Sequence, residues 1–358
     1  MRIINIIDSI DKVNYGIWNA AISTASYLNN EYQVTSELWF PQVDSPLPHI
    51  DDVALVPLES TSTKYINQLI KIHDLDKDSC IIVTHGCWQY ATRWGSYFKN
   101  KGYPWHYVPH GMLEPWSREQ KKTKKAIYFN LVEYRLSKKA DVIRAVGKPE
   151  YENLKLKYRN LHLIPNGIEE TINNDSHQKW NAPSCINYLF MARLHHKKGI
   201  VPLIKAWLNS PQAKTTHAHL YIAGPDDGEL ATIKQLLTKV NITYLGAVYG
   251  ADKQVLLEDS HIYLLPSHSE GFPTSVLEAM YNHLVAVISD GCNFPEAIDG
   301  QYALQTDIEI TGIEKSLNTI HQMSHNDLQL LSQKGANFIQ CHYTLKHIAQ
   351  KQFSLFQK

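Results

Sequence analysis

Several things are scarce in this sequence, and each scarcity excludes something. No apolar run approaches the eighteen or so residues that a membrane-spanning helix needs. The five cysteines, Cys80, Cys87, Cys185, Cys292 and Cys341, contain no Cys-x-x-Cys pair. That argues against a disulfide framework or a zinc knuckle and fits reduced thiols in a cytoplasmic protein. Charge of one sign is not in excess: 35 Lys and Arg balance 35 Asp and Glu. No overall field therefore favours nucleic acid. The 18 histidines give no convincing metal spacing, and the adjacent His195-His196 is poorly placed to chelate one ion. Internal repeats and low-complexity tracts are absent. Met1-Arg2 leads straight into a short strand pattern, Ile3 to Ile7, too short for the apolar core of a secretion signal. The expectation is a cytoplasmic chain.

A length of 358 residues exceeds one ordinary core and suggests two domains. Strand patterns fall at 2–7, 34–39, 53–57, 80–84, 105–109, 141–145 and 161–165. Helical patterns fit between them at 17–28, 64–73, 90–101, 124–138 and 148–157. The second half repeats the plan, with strands near 186–191, 218–223, 242–245, 262–265 and 285–288. Such alternation predicts an α/β chain of two doubly wound, Rossmann-like domains, 1–168 and 183–343, facing across a cleft. The polar stretch Asn166 to Pro183 reads as the linker.

The most informative stretch is LLPSHSEGFPTSVLEAMYN, Leu264 to Asn282. A short buried strand ends at Pro266. A polar turn through Glu270 and Gly271 follows, then Phe272, and a helix pattern begins near Thr274 and Ser275. A helix start of this kind is a ready anion site, because its first N–H groups are unpaired and its dipole favours negative charge. Glu270 and Glu278 flank that site. A carboxylate beside a phosphate makes sense if it accepts hydrogen bonds from ligand hydroxyls. The ligand implied has a phosphate in the middle and a polyol at each end, which describes a sugar nucleotide.

Other strand ends carry polar groups where doubly wound folds keep their sites. Thr84-His85-Gly86-Cys87-Trp88 and Val108-Pro109-His110-Gly111 each put His-Gly after a strand. Met191-Ala192-Arg193 through Lys198-Gly199 puts a basic turn between a strand and a helix. There Arg193, as a fork, and Lys198, as a point charge, can converge on one anion. Ala223-Gly224-Pro225 and Gly246-Ala247-Val248 end two further strands, and Tyr15-Gly16 opens the first helix. Asp74-Leu75-Asp76 precedes a strand and reads as a loop, despite its formal Asp-x-Asp.

SEGFPTSVLEAM resembles the donor-binding segment of retaining glycosyltransferases of the GT-B fold, family 4, and Ala192-Arg193-Leu194 with Lys198-Gly199 resembles that family's Gly-Arg-Leu…Lys-Gly motif. His283 departs from the pattern, standing where the family has Gly. The resemblance implies that Glu270 contacts the donor sugar and Glu278 the nucleotide ribose. The helix start at Gly271, Phe272, Thr274 and Ser275 would face the diphosphate. Arg193 and Lys198 would neutralise the leaving group, so no metal is expected and no cofactor beyond the donor. Gly16, Gly224 and Val248 would border the donor, and His110 would lie beside its sugar. His85, Trp88, Glu114 and Trp116 would line the acceptor side. The terminal helix, about 344–358, would pack back on the first domain.

From His85 to Asn160 the chain carries sixteen Lys or Arg against six Asp or Glu, densest at Arg118 to Lys125 and continuing through Arg135, Lys138 and Lys139. With the tryptophans and tyrosines nearby, this stretch, 118–139, suggests peripheral contact with the inner face of the plasma membrane. The expected activity is transfer of a hexose from a nucleoside diphosphate, UDP in the first instance, to a lipid-linked glycan in O-antigen, capsule or exopolysaccharide synthesis. A GT-B sugar-nucleotide epimerase and a catalytically silent sugar-nucleotide-binding scaffold fit the same residues.

Overall fold

A computed structural model of the chain describes residues 1–11, 15–43, 47–114, 126–170, 178–181, 183–237 and 241–357. The chain divides into two units, Met1–Gly167 with Leu345–Lys358, and Ile168–Thr344.

Among the described residues the first unit holds seven strands: β1 (Arg2–Ile6), β2 (Thr35–Pro41), β3 (Val53–Leu58), β4 (Cys80–His85), β5 (Trp105–Val108), β6 (Val142–Ala145) and β7 (Leu161–Leu163). They lie in the order β3-β2-β1-β4-β5-β6-β7, and the pairs are parallel. Parallel strands are covered on both faces, so the central ones read as continuous apolar runs. All six residues of β4, Cys-Ile-Ile-Val-Thr-His, are buried, while the edge strand β3 alternates with solvent. The order reverses between β1 and β4. That reversal opens a crevice at their carboxyl ends, where doubly wound folds bind ligands.

The terminal helix, Leu345–Phe356, belongs to this unit. Ile348 and Leu355 pack with Val142 and Ile164, Phe353 stacks on Tyr32, and Gln352 accepts a hydrogen bond from Thr24 Oγ1 at 2.7 Å. The helical pattern at 17–28 resolves into two helices, Tyr15–Ile22 and Ala25–Tyr32, broken around that same Thr24. In the stretch 124–138, the described part contains a π-helical turn, Phe129–Glu133. This turn brings the Glu133 carboxylate inside, where it accepts from Thr92 Oγ1, Tyr107 OH and Trp88 N–H.

The second unit holds β8 (Ile186–Met191), β9 (Ala218–Ala223), β10 (Ile242–Gly246), β11 (Ile262–Leu265), β12 (Val285–Ile288) and β13 (Leu304–Gln305). Its parallel order is β10-β9-β8-β11-β12-β13, with the reversal between β8 and β11. The two-residue β13 is too short to leave a pattern in the sequence. Within the expected linker, Gln178–Trp180 forms a short 3-10 turn. Trp180 is buried there and donates to His283 O, while Lys179 Nζ donates to the carbonyls of Leu257 and Ser260. His283 has the left-handed φ of 59° that its place after the helix requires. For a non-glycine residue this costs roughly a kcal/mol, set against buried Leu284 and the Trp180 bond.

Candidate functional site

In the second unit, the loops after β8, β11 and β12 meet at the reversal point. After β8, Gly199 has φ 70°, and a Cβ there would lie 2.1 Å from Pro266 O, so only glycine lets the β8 loop approach the β11 loop this closely. The loops are joined by backbone bonds. His268 N–H donates to Lys197 O at 2.8 Å, and Glu270 N–H donates to Gly291 O at 2.7 Å. Glu270 is thereby fixed at the end of β11. Lys198 Nζ donates to both of its carboxylate oxygens, at 2.6 and 2.5 Å.

The helix Thr274–Tyr281 starts four residues later, and no side chain among the described residues caps it. Tyr263 OH donates to Met191 O and accepts from Ser275 Oγ, each at 2.9 Å, tying this helix start to the end of β8. Gly271, Phe272, Thr274 and Ser275 are half-buried. Phe272 packs on Phe294 and Tyr343, which holds the turn against the core. Glu278 accepts from Lys253 Nζ at 2.9 Å.

Arg193 and Lys198 do not share a partner. Arg193 donates to Asp227 Oδ2 at 2.6 Å, whereas Lys198 is held by Glu270. Each of the two cations and both motif glutamates thus has a counter-ion within the unit. Gly224, with φ 146°, passes so close to the β8 loop that a Cβ would sit 1.9 Å from Ala192 O; its N–H donates to Gly246 O. Val248 is half-buried against the same core.

In the first unit, His85 ends β4 and His110 follows β5. His85 is 2% exposed and both of its ring nitrogens are engaged, Nε2 with Asn5 Oδ1 at 3.0 Å and Nδ1 with His110 Nε2 at 2.9 Å. The tautomers follow from the chain of donors. Asn5 Nδ2 donates to Glu37 O, so Asn5 Oδ1 accepts and His85 Nε2 carries the proton. Burial pushes His85 well below its usual range, helped by His110 and Arg144, so its Nδ1 accepts from His110 Nε2–H. Burial and Arg144 push His110 down to about 3, leaving its Nδ1 as a lone-pair acceptor for a hydroxyl. His85, expected to line the acceptor side, has both ring nitrogens engaged and orients His110. His110 itself has φ 53° and Gly111 φ 73°. This bend is held by Glu150, which accepts from Gly111 N–H at 2.6 Å and Val146 N–H at 2.9 Å.

Trp88 is half-buried with φ 78°, its ring near Tyr128 and Phe129. Glu114 is buried, and Asn153 donates to its Oε2 at 2.7 Å. Gly16 lies exposed in the first turn of Tyr15–Ile22. Trp116 and the basic run 118–125 lie outside the described residues. Among the described residues, no group of three or more His, Cys, Asp or Glu is placed to hold an ion, and no helix is long and apolar enough to cross a membrane. Sequence reasoning missed Glu150 and Glu133. Glu150 had a signal, since it is the third residue of a helix that starts after Gly147 with Pro149 in its first turn.

Residues 173–335 match the family model of glycosyl transferases group 1. The second unit is a group 1 glycosyl transferase domain. Over 114 residues the chain is 32% identical to N,N'-diacetylbacillosaminyl-diphospho-undecaprenol alpha-1,3-N-acetylgalactosaminyltransferase of Campylobacter jejuni, a match covering 32% of this chain and 29% of that enzyme. Sucrose-phosphate synthase of Thermosynechococcus elongatus superposes with a TM-score of 0.77 at 14% identity, over 100% of this chain and 98% of that one. HepE of Anabaena, solved in complex with UDP and glucose, gives 0.75 at 16% identity, over 100% and 99%. At these identities the likeness is one of fold, and the fold is GT-B. The group 1 glycosyl transferase domain contains Arg193, Lys198, Gly224, Val248 and both motif glutamates.

Proposed function

We propose that the chain is a glycosyltransferase that moves a hexose from a UDP-sugar to a hydroxyl of a lipid-linked glycan, with retention and without a metal ion, in surface-polysaccharide synthesis. The observation that carries this reading is the meeting of Lys198, Glu270 and the helix start Thr274–Ser275 at the reversal point of the second sheet. A diphosphate bound there faces the positive end of that helix, which no side chain among the described residues caps, and a cation already in place. As the bond from the anomeric carbon to phosphate breaks, the leaving oxygen gains charge. Preorganised positive groups stabilise such charge most effectively. Lys198 and Arg193 supply them, and Glu270, released from Lys198, accepts from sugar hydroxyls. The acceptor oxygen bonds to the same face of the sugar, and its proton passes to the departing phosphate oxygen.

UDP as the carrier draws support from the Anabaena protein, which was solved with UDP and glucose. A lipid-linked acceptor draws support from the diphospho-undecaprenol in the name of the Campylobacter enzyme. Peripheral membrane contact fits the stretch that exposes Ile127 and Leu131 ahead of exposed Arg135, Lys138 and Lys139.

The deciding experiment incubates purified protein with a panel of sugar nucleotides, with and without undecaprenyl-diphosphate-linked monosaccharides, and reads nucleotide release and products. Transfer from a UDP-sugar is expected. An epimerised donor, or binding without turnover, would overturn the reading. EDTA should leave the rate within about twofold; abolition by EDTA and rescue by magnesium would remove the metal-free mechanism. Replacing Lys121, Lys122, Lys124 and Lys125 by Gln should weaken binding to anionic vesicles by up to about 1 kcal/mol per charge, with hydrolysis of the donor in solution spared. Unchanged vesicle binding would make that run an ordinary solvated surface.

A further inference from the structure

The reversal point of the first sheet holds a carboxyl that the mechanism above leaves unused. Asp8 stands two residues beyond β1, half-buried at its carboxyl end. Its Oδ1 is closed off from solvent and has no hydrogen-bond partner among the described residues. Ala91 N–H donates to the carboxyl group. Oδ2 lies 3.6 Å from where a Cβ on Gly86 would be, and Met112 Cε lies 3.4 Å from the same point. Gly86 follows His85 directly and Met112 follows the His110-Gly111 turn. Asp8 Oδ2, the bare face of Gly86 and Met112 thus converge at the ends of β1, β4 and β5, beside the histidine pair, with room between them for a Cβ-sized group.

Buried polar atoms are nearly always hydrogen-bonded, and an orphaned one weakens the fold without return. Such violations of local rules are expected at functional positions. We propose that Asp8 is an acceptor-binding residue whose carboxyl takes the hydrogen bond of an acceptor hydroxyl in the space over Gly86. This assignment rests on the glycosyltransferase reading above and adds to it a residue on the acceptor side.

The protonation of Asp8 gives the assignment a signature. Burial, with the neighbouring Glu133, holds its carboxyl up at about 7, against the opposing pull of the Ala91 N–H and Arg93. Cys87, Tyr90 and Tyr128 face the same group and are themselves pushed up, so none adds charge near neutrality. A carboxylate accepts from a hydroxyl more strongly than the neutral acid does. The value of kcat/KM for the acceptor should therefore rise through an inflection near pH 7 that belongs to the free enzyme.

Asp8→Asn keeps the shape and removes both the charge and the titration. With an undecaprenyl-diphosphate-linked monosaccharide as acceptor, its KM should rise 10- to 100-fold and the inflection near pH 7 should vanish. The donor KM and the slow hydrolysis of UDP-sugar by water should hold at wild-type values. The variant should also melt no lower than wild type at pH 8, because a buried acid no longer has to be kept. An unchanged acceptor KM with an unchanged pH profile would make Asp8 a structural acid and overturn the assignment. Should Asp8→Asn misfold, Asp8→Ser, which cannot overpack the site, decides by the same split between acceptor and donor KM. A wild-type protein that transfers to no acceptor overturns the glycosyltransferase reading and takes this assignment with it. A wild type that transfers, beside an Asp8→Asn variant with wild-type KM, overturns Asp8 alone.

Discussion

Lys198 and Glu270 are bound to each other with side chains only 15% and 11% exposed, so each charge depends on the other until a ligand arrives. Glu278 and Lys253 are about twice as exposed, at 29% and 33%. The two glutamates should therefore fail differently. Glu270→Gln releases Lys198, so affinity for free UDP should hold or rise, while the intact UDP-sugar binds more weakly and kcat falls. Glu278→Gln replaces a charged acceptor by a neutral one toward the ribose. A hydrogen bond to a charged group contributes roughly 1.5–3 kcal/mol, against about half that for a neutral pair. Glu278→Gln should weaken UDP and UDP-sugar by similar amounts. Calorimetric titration of both variants with both ligands checks this; equal weakening of bare UDP by the two substitutions would merge their roles. These glutamates were legible because a strand, a turn and a helix start announce themselves locally. The burial of Asp8 and Glu133 was not legible, because it depends on segments far off in sequence, and Glu150 showed only as the third residue of a helix.

At the scale of the element, the buried strands were readable as apolar runs, and the misses have identifiable causes. The helix breaks around Thr24, whose side chain donates to Gln352 of the terminal helix, a partner far off in sequence. The turn at Phe129–Glu133 is π-helical, and an acid in an amphipathic stretch carries no local mark of pointing inward. His106, at the second position of β5, shows how an element can carry a pH dependence. It is buried, and its ring stacks on Phe356 of the terminal helix at 5.4 Å. Burial pushes it down to about 4, with Asp141 opposing and His162 assisting. Its folded value lies below its unfolded value of about 6.5. The stability it contributes is thus fully present above pH 6.5 and is lost as pH falls toward 4. That loss is about 3 kcal/mol at most. His106→Phe should narrow the gap between urea midpoints at pH 7.5 and pH 5 relative to wild type. An unchanged gap would show that this imidazole is not the group that titrates.

For the whole molecule, the division at Ile168 and Thr344 puts the terminal helix with the first unit. The second unit keeps a core of its own around Phe190, Trp207, Tyr263 and Phe294. A fragment of residues 168–344 should fold cooperatively and bind UDP within about tenfold of the full chain, a loss of no more than about 1.4 kcal/mol, yet transfer no sugar. Circular dichroism and calorimetry test both halves of that statement; a fragment that folds but ignores UDP would place essential nucleotide contacts in the first unit. Extending it through residue 358 should make it less soluble, since Ile348 and Leu355 would lose the partners that cover them. The strand plan of both units was readable in advance, whereas the anchoring of Gln178–Trp180 was not, because one buried tryptophan in a polar stretch gives no periodicity. The loops of the second unit are bonded to one another through Lys197 O, Gly291 O and Gly246 O. The amides of His268, Glu270 and Gly224 are thereby held from exchange with water, so a nucleotide arriving there has little of this backbone left to order. Its binding entropy is spared that loss, and its rate of arrival is set by diffusion and charge, with no slow ordering of the loops to wait for.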